Sequence, residues 1–232
     1  MKRVSVIIYA YNVADILGEY MHQLCSVRFM GDLDKEIIII NDCSGDHTLS
    51  VILTYIDSHP DSKIHLINNE TKSGKGSSLQ KAIQQATGDI FILKEVERGY
   101  DFEEMNLLLQ PVLDGFADVV YGSRYVSGNP HRKSHFAKNI SDKIFTFFSN
   151  VMTNLNLSDV TTGYKLITRN ICEKITVFES RAGFDMEFIA KVARVPSVRI
   201  YEIGISYYGG DYKRSVKQKL ELFFSLCKYN LF

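Results

Sequence analysis

The sequence predicts an α/β protein with a mostly parallel, doubly wound sheet and helices on both faces. Strand-like and helix-like segments alternate from residue 3 to residue 93, which is typical of parallel strands joined by crossover helices. The strand-like segments are apolar at nearly every position, as strands covered on both faces are. With 232 residues, 45% of them hydrophobic and 23% charged, the chain is large enough to bury such a core.

Four strands and three helices are predicted in order along this region. The segment Arg3 to Ala10 is β-branched and almost continuously apolar, and DKEIIII at 34–40 repeats the pattern. Two shorter strands are predicted at 63–67 and 90–93. Between the strands, apolar residues recur at helical spacing, which predicts helices at 13–24, 48–56 and 79–86.

A polar or glycine-rich cluster follows each predicted strand. The clusters are Tyr11-Asn12, the turn-forming residues 41–46, the glycine–serine turn 73–78 with Lys75, and Glu95-Val96-Glu97. Ligands of such sheets bind at the carboxyl ends of the strands. Carboxylates there suit a ribose and a base, and the N–H groups of a glycine turn suit phosphate. The four clusters together predict a nucleotide site.

Glu95 and Glu97 are the most specific feature of that edge. Residues i and i+2 of an extended chain point to the same side, so both carboxylates would leave the strand end together. Paired carboxylates hold hard divalent cations that carry phosphate-bearing substrates. A charged loop of solvated acids is the alternative on spacing alone.

The net charge of zero conceals an asymmetry between the two parts of the chain. Residues 1–120 carry 10 lysines and arginines against 18 acidic residues, and residues 121–232 carry 17 against 9. The basic part indicates an anionic partner. The four cysteines have no metal-ligand spacing, which fits a reducing compartment, and no signal peptide or membrane-spanning run is recognisable. We expect a cytoplasmic protein, soluble or peripheral on the cytoplasmic face of a membrane.

Eight segments, in order and at fitting spacing, resemble one family. They are SVIIYAYN (5–12), IIIINDCSGDHT (37–48), GKGSSLQKAIQQATGD (74–89), the EVE segment, VVYGSRY (119–125), TTGYKLITR (161–169), GFDMEF (183–188) and IYEIGISYYGG (200–210). The chain resembles the family 2 glycosyltransferases of GT-A fold from residue 4 to about residue 220. Within that family it is most similar to the dolichyl- and polyprenyl-phosphate sugar synthases.

The resemblance implies one GT-A domain over residues 1–232. It comprises a nucleotide-sugar-binding half (1–120), an acceptor-side half (121–210) and a basic amphipathic C-terminal segment (211–232). The implied activity is inverting transfer of a hexose from a UDP- or GDP-sugar to a polyprenyl (dolichyl-type) phosphate, with Mg²⁺ or Mn²⁺ as cofactor. The alternatives are transfer to a glycan hydroxyl and a catalytically weak protein that only binds nucleotide-sugar.

The resemblance also implies roles for individual residues. Those implied to bind the nucleotide-sugar are Tyr9, Ala10, Tyr11, Asn12, Asp42, Ser44, Lys75, Gly76, Glu95, Val96 and Glu97, with Glu95 and Glu97 as metal ligands. Those implied to act in catalysis are Glu97, Arg124, Asp185 and Glu187. Those implied to bind the acceptor phosphate are Arg124, His131, Arg132, Lys133, Thr162, Lys165 and Arg214. An ionised phosphate acceptor needs no strong base, whereas a hydroxyl acceptor would need Asp185 or Glu187.

The sequence departs from the family pattern at several of these positions. Tyr9 replaces the usual proline, Asn41 replaces the first acid of an Asp-Asp pair, and the metal motif is Glu-x-Glu where the family has Asp-x-Asp. The extra methylene of each glutamate displaces its carboxylate, and Mg²⁺ demands near-ideal geometry. Three interpretations follow: an enzyme with a relaxed metal site, a metal-independent enzyme that uses Arg98 and Arg124, and a protein that binds without turnover.

Two segments of the basic part are amphipathic. Apolar residues recur at helical spacing from Ile140 to Leu155, and Tyr212 to Phe232 combines five basic residues with Phe223 and Phe224. Helices of this kind lie in bilayer interfaces, or pack on the sheet with a solvated basic face. Because the implied acceptor is a lipid, we favour the bilayer interface over packing on the sheet. The protein would bind the membrane directly or through a separate membrane-anchor subunit. Nucleic-acid binding would not explain the acidic edge, so we expect no nucleic-acid partner.

Overall fold

The computed structural model describes residues 2–126, 136–177, 179, 183–209 and 216–231. Within these ranges, the strands are Arg3–Ala10 (β1), Asp34–Asn41 (β2), Ile64–Asn68 (β3), Ile90–Glu95 (β4), Val119–Ser123 (β5), Lys165–Thr168 (β6) and Ile200–Gly204 (β7). The helices are Ala14–Ser26 (α1), Thr48–Ser58 (α2), Lys75–Gln85 (α3), Met105–Leu113 (α4), Phe136–Thr153 (α5), Arg169–Cys172 (α6), Phe184–Ala193 (α7) and Val216–Leu231 (α8).

All seven strands form a single sheet in the order β3-β2-β1-β4-β6-β5-β7. Strand β6 is antiparallel to both of its neighbours, and the other pairs are parallel. The predicted mostly parallel sheet is therefore confirmed. Because β6 runs in the opposite direction, its first residue, Lys165, pairs with Leu93 and Tyr121 near the carboxyl ends of β4 and β5. This reversal brings the TTGYK segment to the same edge as the four polar clusters.

Two apolar clusters cover the two faces of the sheet. One lies under α1, α2 and α4 and includes Leu17, Ile52 and Leu108. The other lies under α3, α5, α7 and α8 and includes Phe145 and Phe188. This arrangement confirms the predicted helices on both faces. Because successive side chains of a strand point to opposite faces of the sheet, neighbouring residues of β4 reach different apolar clusters.

The third predicted helix begins four residues earlier than the sequence indicates, at Lys75. The sequence pattern predicts a turn here, because glycine disfavours helices and serine is only a moderate helix former. In the structure Gly74 adopts a φ of 81°, which glycine tolerates, and the helix begins directly after it. The predicted phosphate-binding turn is thus the first turn of α3.

The two amphipathic segments are helical where the structure describes them, as α5 and α8. Among the described residues, no helix combines the length and the apolar character needed to cross a membrane. The division of the chain into a nucleotide-sugar half and an acceptor half stays a prediction.

Candidate functional site

Asp42 holds the loops behind the sheet edge together. It is fully buried, and its carboxylate accepts hydrogen bonds from five groups. These are the Tyr9 hydroxyl (2.9 Å), Asn69 Nδ2 (2.8 Å), the backbone N–H groups of Ser73 (2.8 Å) and Gly74 (2.7 Å), and the Ser78 hydroxyl (3.1 Å). Burial alone would raise the pKa of Asp42, but these donors outweigh it and lower the pKa. Asp42 therefore fixes the start of α3, and its predicted contact with a nucleoside stays a prediction.

The end of β1 meets the loop after β2, as the sequence predicts. Asn12 has a φ of 52°, which asparagine adopts more readily than most residues. Its backbone N–H donates to Ser44 Oγ at 3.0 Å, and its side-chain oxygen accepts from Gly45 N at 2.8 Å. Beside it, Lys72 Nζ lies 3.5 Å from the centre of the Tyr11 ring. Ala10 completes this corner, since its carbonyl accepts from Asp42 N at 3.1 Å.

An ionic cluster at the sheet edge joins four predicted motifs. Lys75 of α3 contacts the carboxylate of Glu95 and lies 3.4 Å from Asp185 Oδ1. Lys165 of β6 lies 2.9 Å from the same Asp185 oxygen and also contacts the Thr162 carbonyl. Burial lowers the pKa of Lys75, but Asp185 and Glu95 outweigh it and raise the pKa above its ordinary value. For Lys165, burial and the neighbouring Lys75 charge lower the pKa despite Asp185.

Glu97 lies against the TTGYK segment. A Cβ placed on Gly163 would lie 2.5 Å from Glu97 Oε1 and 3.0 Å from the Tyr100 hydroxyl. Gly163 N donates to that hydroxyl at 3.1 Å. Tyr100 in turn pairs with Tyr207 of the YEIGISYYGG segment. Glu95 and Glu97 therefore have different surroundings: Glu95 contacts Lys75, and Glu97 covers the glycine that precedes β6.

Lys94 is an unexpected feature beside the acidic motif. It points to the opposite face of the sheet from Glu95, is buried, and lies with Nζ 3.8 Å from the ring centres of both Tyr100 and Tyr164. Among the described residues its ammonium has no hydrogen-bond partner. Burial lowers the pKa of Lys94 to about 7, although Glu97 and Glu95 act in the opposite direction. The sequence signal for this buried lysine is its position inside a strand that is predicted to be covered on both faces.

Arg124 is engaged within the protein. Its Nε donates to Asp159 Oδ2 at 2.7 Å and its Nη2 to Asp159 Oδ1 at 2.8 Å, and Asp142 of α5 lies 3.7 Å away. This bidentate pair is largely buried. Thr162 is also buried, and its hydroxyl donates to the Gly122 carbonyl. Both residues are therefore engaged within the protein, and their contact with an acceptor phosphate stays a prediction.

The two predicted bases of GFDMEF occupy different places. Asp185 belongs to the ionic cluster, whereas Glu187 is fully buried beside Lys191. Glu187 accepts from Glu179 N at 2.6 Å and contacts Lys191, while the Glu179 carbonyl accepts from Gly76 N at 3.0 Å. A side chain on Gly76 would collide with that carbonyl. Glu187 therefore holds Glu179, whose carbonyl meets the start of α3, and its predicted catalytic role stays a prediction.

Among the described residues, Arg98 and Val96 are not brought to the cluster. Arg98 lies 3.7 Å from Asp15 on the exposed surface of α1. Val96 is buried in the core. Four of the predicted acceptor residues lie outside the described residues, namely His131, Arg132, Lys133 and Arg214.

The carboxylates of the Glu-x-Glu motif fit a divalent cation in part. Both are hard oxygen ligands, and the Glu95 side chain is 43% exposed. One of its oxygens contacts Lys75, and the described residues contain no group of three or more histidine, cysteine or acidic side chains able to hold an ion. A cation here would therefore share its coordination with ligand phosphates, which is usual for Mg²⁺.

Two characterised proteins are similar to the chain in sequence. It is 27% identical over 217 residues to dolichyl-phosphate beta-glucosyltransferase of Dictyostelium discoideum, covering 88% of this chain and 65% of that protein. It is 25% identical over 181 residues to polyprenol monophosphomannose synthase of Mycolicibacterium smegmatis, covering 75% of this chain and 64% of that protein. The chain thus spans about two thirds of the length of these relatives.

Two solved structures share the fold. Glucosyl-3-phosphoglycerate synthase from Mycobacterium tuberculosis, in complex with Mn²⁺, UDP and glucosyl-3-phosphoglycerate, aligns with a TM-score of 0.74 at 13% identity, covering 99% of this chain and 80% of that one. A mannosyltransferase from Pyrobaculum calidifontis, in complex with GDP-Man and Mn²⁺, aligns with a TM-score of 0.65 at 16% identity, covering 88% and 56%. The GT-A fold expected from the motifs is confirmed.

The family model for glycosyl transferase family 2 matches residues 5–176, well over half of the 232 residues. The match includes β1 to β6, and thus Lys75, the acidic motif and Lys165 of the ionic cluster. The chain belongs to glycosyl transferase family 2.

Proposed function

We propose that this protein transfers a hexose from a UDP- or GDP-sugar to a polyprenyl phosphate, with inversion at the anomeric carbon. The observation that carries the proposal is the ionic cluster of Lys75, Glu95, Lys165 and Asp185 at the carboxyl edge of the sheet. Two of its members come from the donor-side motifs and two from the acceptor-side motifs. The names of the sequence relatives, which act on dolichyl and polyprenyl phosphates, support the acceptor class.

The reaction places a negative diphosphate beside this cluster. The bond between the anomeric carbon and the diphosphate oxygen breaks, and its electron pair leaves with the nucleoside diphosphate. An oxygen of the acceptor phosphate forms the new bond from the opposite face, which inverts the configuration. Lys75 and Lys165 provide positive charge where the leaving group gains negative charge, and electrostatic stabilisation of this kind is a large contribution to catalysis.

Glu95 and Glu97 would hold Mg²⁺ or Mn²⁺ together with the diphosphate. When bound, the ion supplies further positive charge to the leaving group. Lys75 would then give up its contact with Glu95 and turn to the diphosphate. The acceptor side would be bounded by Lys165, Thr162 and the Arg124–Asp159 pair.

The surroundings of Asp185 favour a phosphate acceptor over a hydroxyl acceptor. A hydroxyl must lose its proton to a base during transfer. Lys165 and Lys75 both contact Asp185, so a hydroxyl would have to compete with two ammonium groups for its oxygens. Glu187, the other predicted base, is fully buried and contacts Lys191. A phosphate acceptor is already ionised and needs neither group as a base.

The test is a transfer assay with a panel of UDP- and GDP-hexoses, polyprenyl phosphate, and Mn²⁺, Mg²⁺ or a chelator. A lipid-linked sugar is the expected product, and its anomeric configuration should be opposite to that of the donor. Polyprenol without phosphate is the matched acceptor control and should give no product. Transfer to an oligosaccharide in preference to the lipid phosphate would replace the proposal with a glycan-directed activity. Nucleotide binding without any product would identify a protein that only binds.

A further inference from the structure

A pocket lies between the end of helix α7 and the residues that follow α6. Its volume is about 510 Å³, which is within the range of small-ligand sites. The described residues that line it include three cations, Lys174, Lys191 and Arg194, and no carboxylate. Ile175 and Val195 also line it and are buried, so they form its floor, and the exposed Lys174 and Arg194 form its rim. We call this the basic pocket.

The basic pocket lies at the opposite edge of the sheet from the ionic cluster. Helix α7 begins beside Asp185 of that cluster and ends at Ala193, about 15 Å further along its axis. The chain then enters β7 at Ile200, which pairs with Val119, the first residue of β5. The pocket is therefore separate from the edge where the proposed donor and acceptor would bind.

The positive charge of the pocket is not neutralised by the residues around it. Lys174 and Arg194 form no ion pair with another described residue. Two acidic residues near Lys174 are each paired with an arginine, Glu173 with Arg169 at 3.6 Å and Asp118 with Arg199 at 2.7 Å. Cations at the carboxyl end of a helix interact favourably with the helix dipole, but that interaction needs no cavity. An anion is therefore the ligand that the pocket fits.

The floor and the rim together favour a phosphate ester over a bare ion. A guanidinium such as that of Arg194 can bind a phosphate through two parallel N–H groups, and a lysine ammonium adds a further donor. Ile175, Val195 and the exposed Pro196 offer an apolar surface to a substituent on the phosphate. Such a ligand matches both the charge and the apolar part of the pocket.

Lys191 links the basic pocket to the first turn of α3. Its ammonium contacts the Glu187 carboxylate and the Thr176 carbonyl. The other oxygen of Glu187 accepts from Glu179 N at 2.6 Å, and the Glu179 carbonyl accepts from Gly76 N at 3.0 Å. Three consecutive contacts therefore join a cation of the pocket to the helix start beside Lys75.

We propose that the basic pocket is a regulatory site for a small phosphate ester with an apolar substituent. The phosphate competes with Glu187 for the ammonium of Lys191, so Glu187 holds Glu179 less firmly. The Gly76 N–H then becomes available to an anion at the start of α3. The pocket is a binding site whether or not the proposed function holds, whereas its effect on α3 rests on a donor diphosphate that binds there.

Ligand-observed NMR with phenyl phosphate tests the site on the whole chain, saturated with UDP or GDP and Mn²⁺ so that the donor position is occupied. We expect saturable binding of phenyl phosphate, weaker binding of inorganic phosphate and no binding of phenol. The pocket variant Lys174→Ser/Arg194→Ser should bind phenyl phosphate about tenfold more weakly. The matched control is Arg28→Ser/Lys143→Ser, which removes two exposed cations elsewhere and should bind like the wild type.

Calorimetric titration of UDP or GDP in the presence of Mn²⁺ measures the regulatory effect. Phenyl phosphate should raise the nucleotide affinity of the wild type about fivefold and leave that of the pocket variant unchanged. If phenyl phosphate instead lowers the nucleotide affinity of both proteins, it binds at the donor position and the proposed site is wrong.

Three further outcomes would contradict the proposal. Equal binding of phenyl phosphate by the wild type and the pocket variant, when thermal unfolding shows that both are folded, would reject the site. Equal binding of inorganic phosphate and phenyl phosphate would reject the ligand class, and an unchanged nucleotide affinity would reject the regulatory role. A wild type that binds phenyl phosphate in the pocket but transfers no sugar would reject the proposed function and leave the binding site standing.

Discussion

The ammonium group of Lys75 contacts the carboxylate of Glu95 and so ties the first turn of α3 to the acidic motif at the end of β4. The same ammonium lies 3.4 Å from Asp185, which is 110 residues away in sequence. One lysine therefore links strand β4 to helix α7. Under the proposed function, this is the position where a negatively charged leaving group would meet the protein.

Replacing Lys75 should impair turnover more than stability. Lys75→Met leaves Glu95 and Asp185 without this cation next to an incoming diphosphate, so we expect kcat/KM to fall about a hundredfold. The matched control is Lys81→Met on the same helix, whose ammonium donates to Asn69 Oδ1 at 2.9 Å. Steady-state kinetics of the two variants provide the comparison. An equal loss in both would show that the effect arises from the general charge of α3.

Asp42 should be the most costly polar residue to remove from the loops at the sheet edge. Asp42→Ala leaves five buried or partly buried donors without their acceptor, which we expect to lower the free energy of unfolding by about 3 kcal/mol. Asp46→Ala is the control. Asp46 is an exposed carboxylate in the same loop that accepts from Ala14 N and Thr48 N. Urea unfolding should show a clearly smaller loss for Asp46→Ala; similar losses would reject the organising role of Asp42.

Lys94 should make stability depend on pH in a predictable direction. Its pKa is about 7 in the folded protein and an ordinary 10.5 in the unfolded chain, so the unfolded chain binds more protons between these values. The free energy of unfolding should therefore rise with pH through this window and be lowest below about 7. Lys94→Met removes this contribution and should be more stable than the wild type by on the order of 2 kcal/mol at low pH.

The check is urea unfolding of both proteins across this pH range in the presence of a chelator. The difference between them should shrink as the pH approaches the ordinary lysine value. Lys35→Met is the control, because burial also lowers the pKa of Lys35 but its ammonium donates to the carbonyls of Leu24, Cys25 and Val27. That variant should lose stability. A wild-type stability independent of pH would contradict the charge state assigned to Lys94.

The sequence predicted the elements of the first half because each strand is a continuous apolar run between helical patterns. It did not predict the reversed strand β6, whose direction depends on pairing with Leu93 and Tyr121 far away in sequence. For the same reason the contacts between Lys75, Lys165 and Asp185 could not be derived from spacing. The motifs identify which residues lie at the sheet edge, and only the order of the strands in the sheet shows which of them are in contact.

The direction of individual side chains is the other property that the sequence does not predict. The sequence predicts that the carboxylates of Glu95 and Glu97 point to the same side of an extended strand. In the structure β4 ends at Glu95, and Glu97 lies beyond the strand, against Gly163. Arg124 is predicted to face a phosphate, and in the structure two of its guanidinium nitrogens donate to Asp159, so its contact with a phosphate stays a prediction. A pattern of charged residues in the sequence does not distinguish an arginine that binds phosphate from one that pairs with a carboxylate of the protein.

Gly163 offers a way to move Glu97 without removing it. In Gly163→Ala the new Cβ would lie 2.5 Å from Glu97 Oε1 and 3.0 Å from the Tyr100 hydroxyl. The glutamate is the free end of a flexible side chain, so we expect it to swing away at a cost in stability of about 1 kcal/mol or less. The displaced carboxylate should no longer act with Glu95, so Mn²⁺ affinity in the presence of nucleoside diphosphate should fall about tenfold.

Calorimetric titration of Mn²⁺ into the protein with UDP or GDP measures this change, and thermal unfolding measures the stability. Gly18→Ala is the control, because a Cβ on Gly18 meets no atom within 4 Å. It should bind Mn²⁺ like the wild type and be slightly more stable, since alanine favours the helix. Unchanged Mn²⁺ affinity in Gly163→Ala would remove Glu97 from the metal site and leave Glu95 alone to hold the ion with the diphosphate.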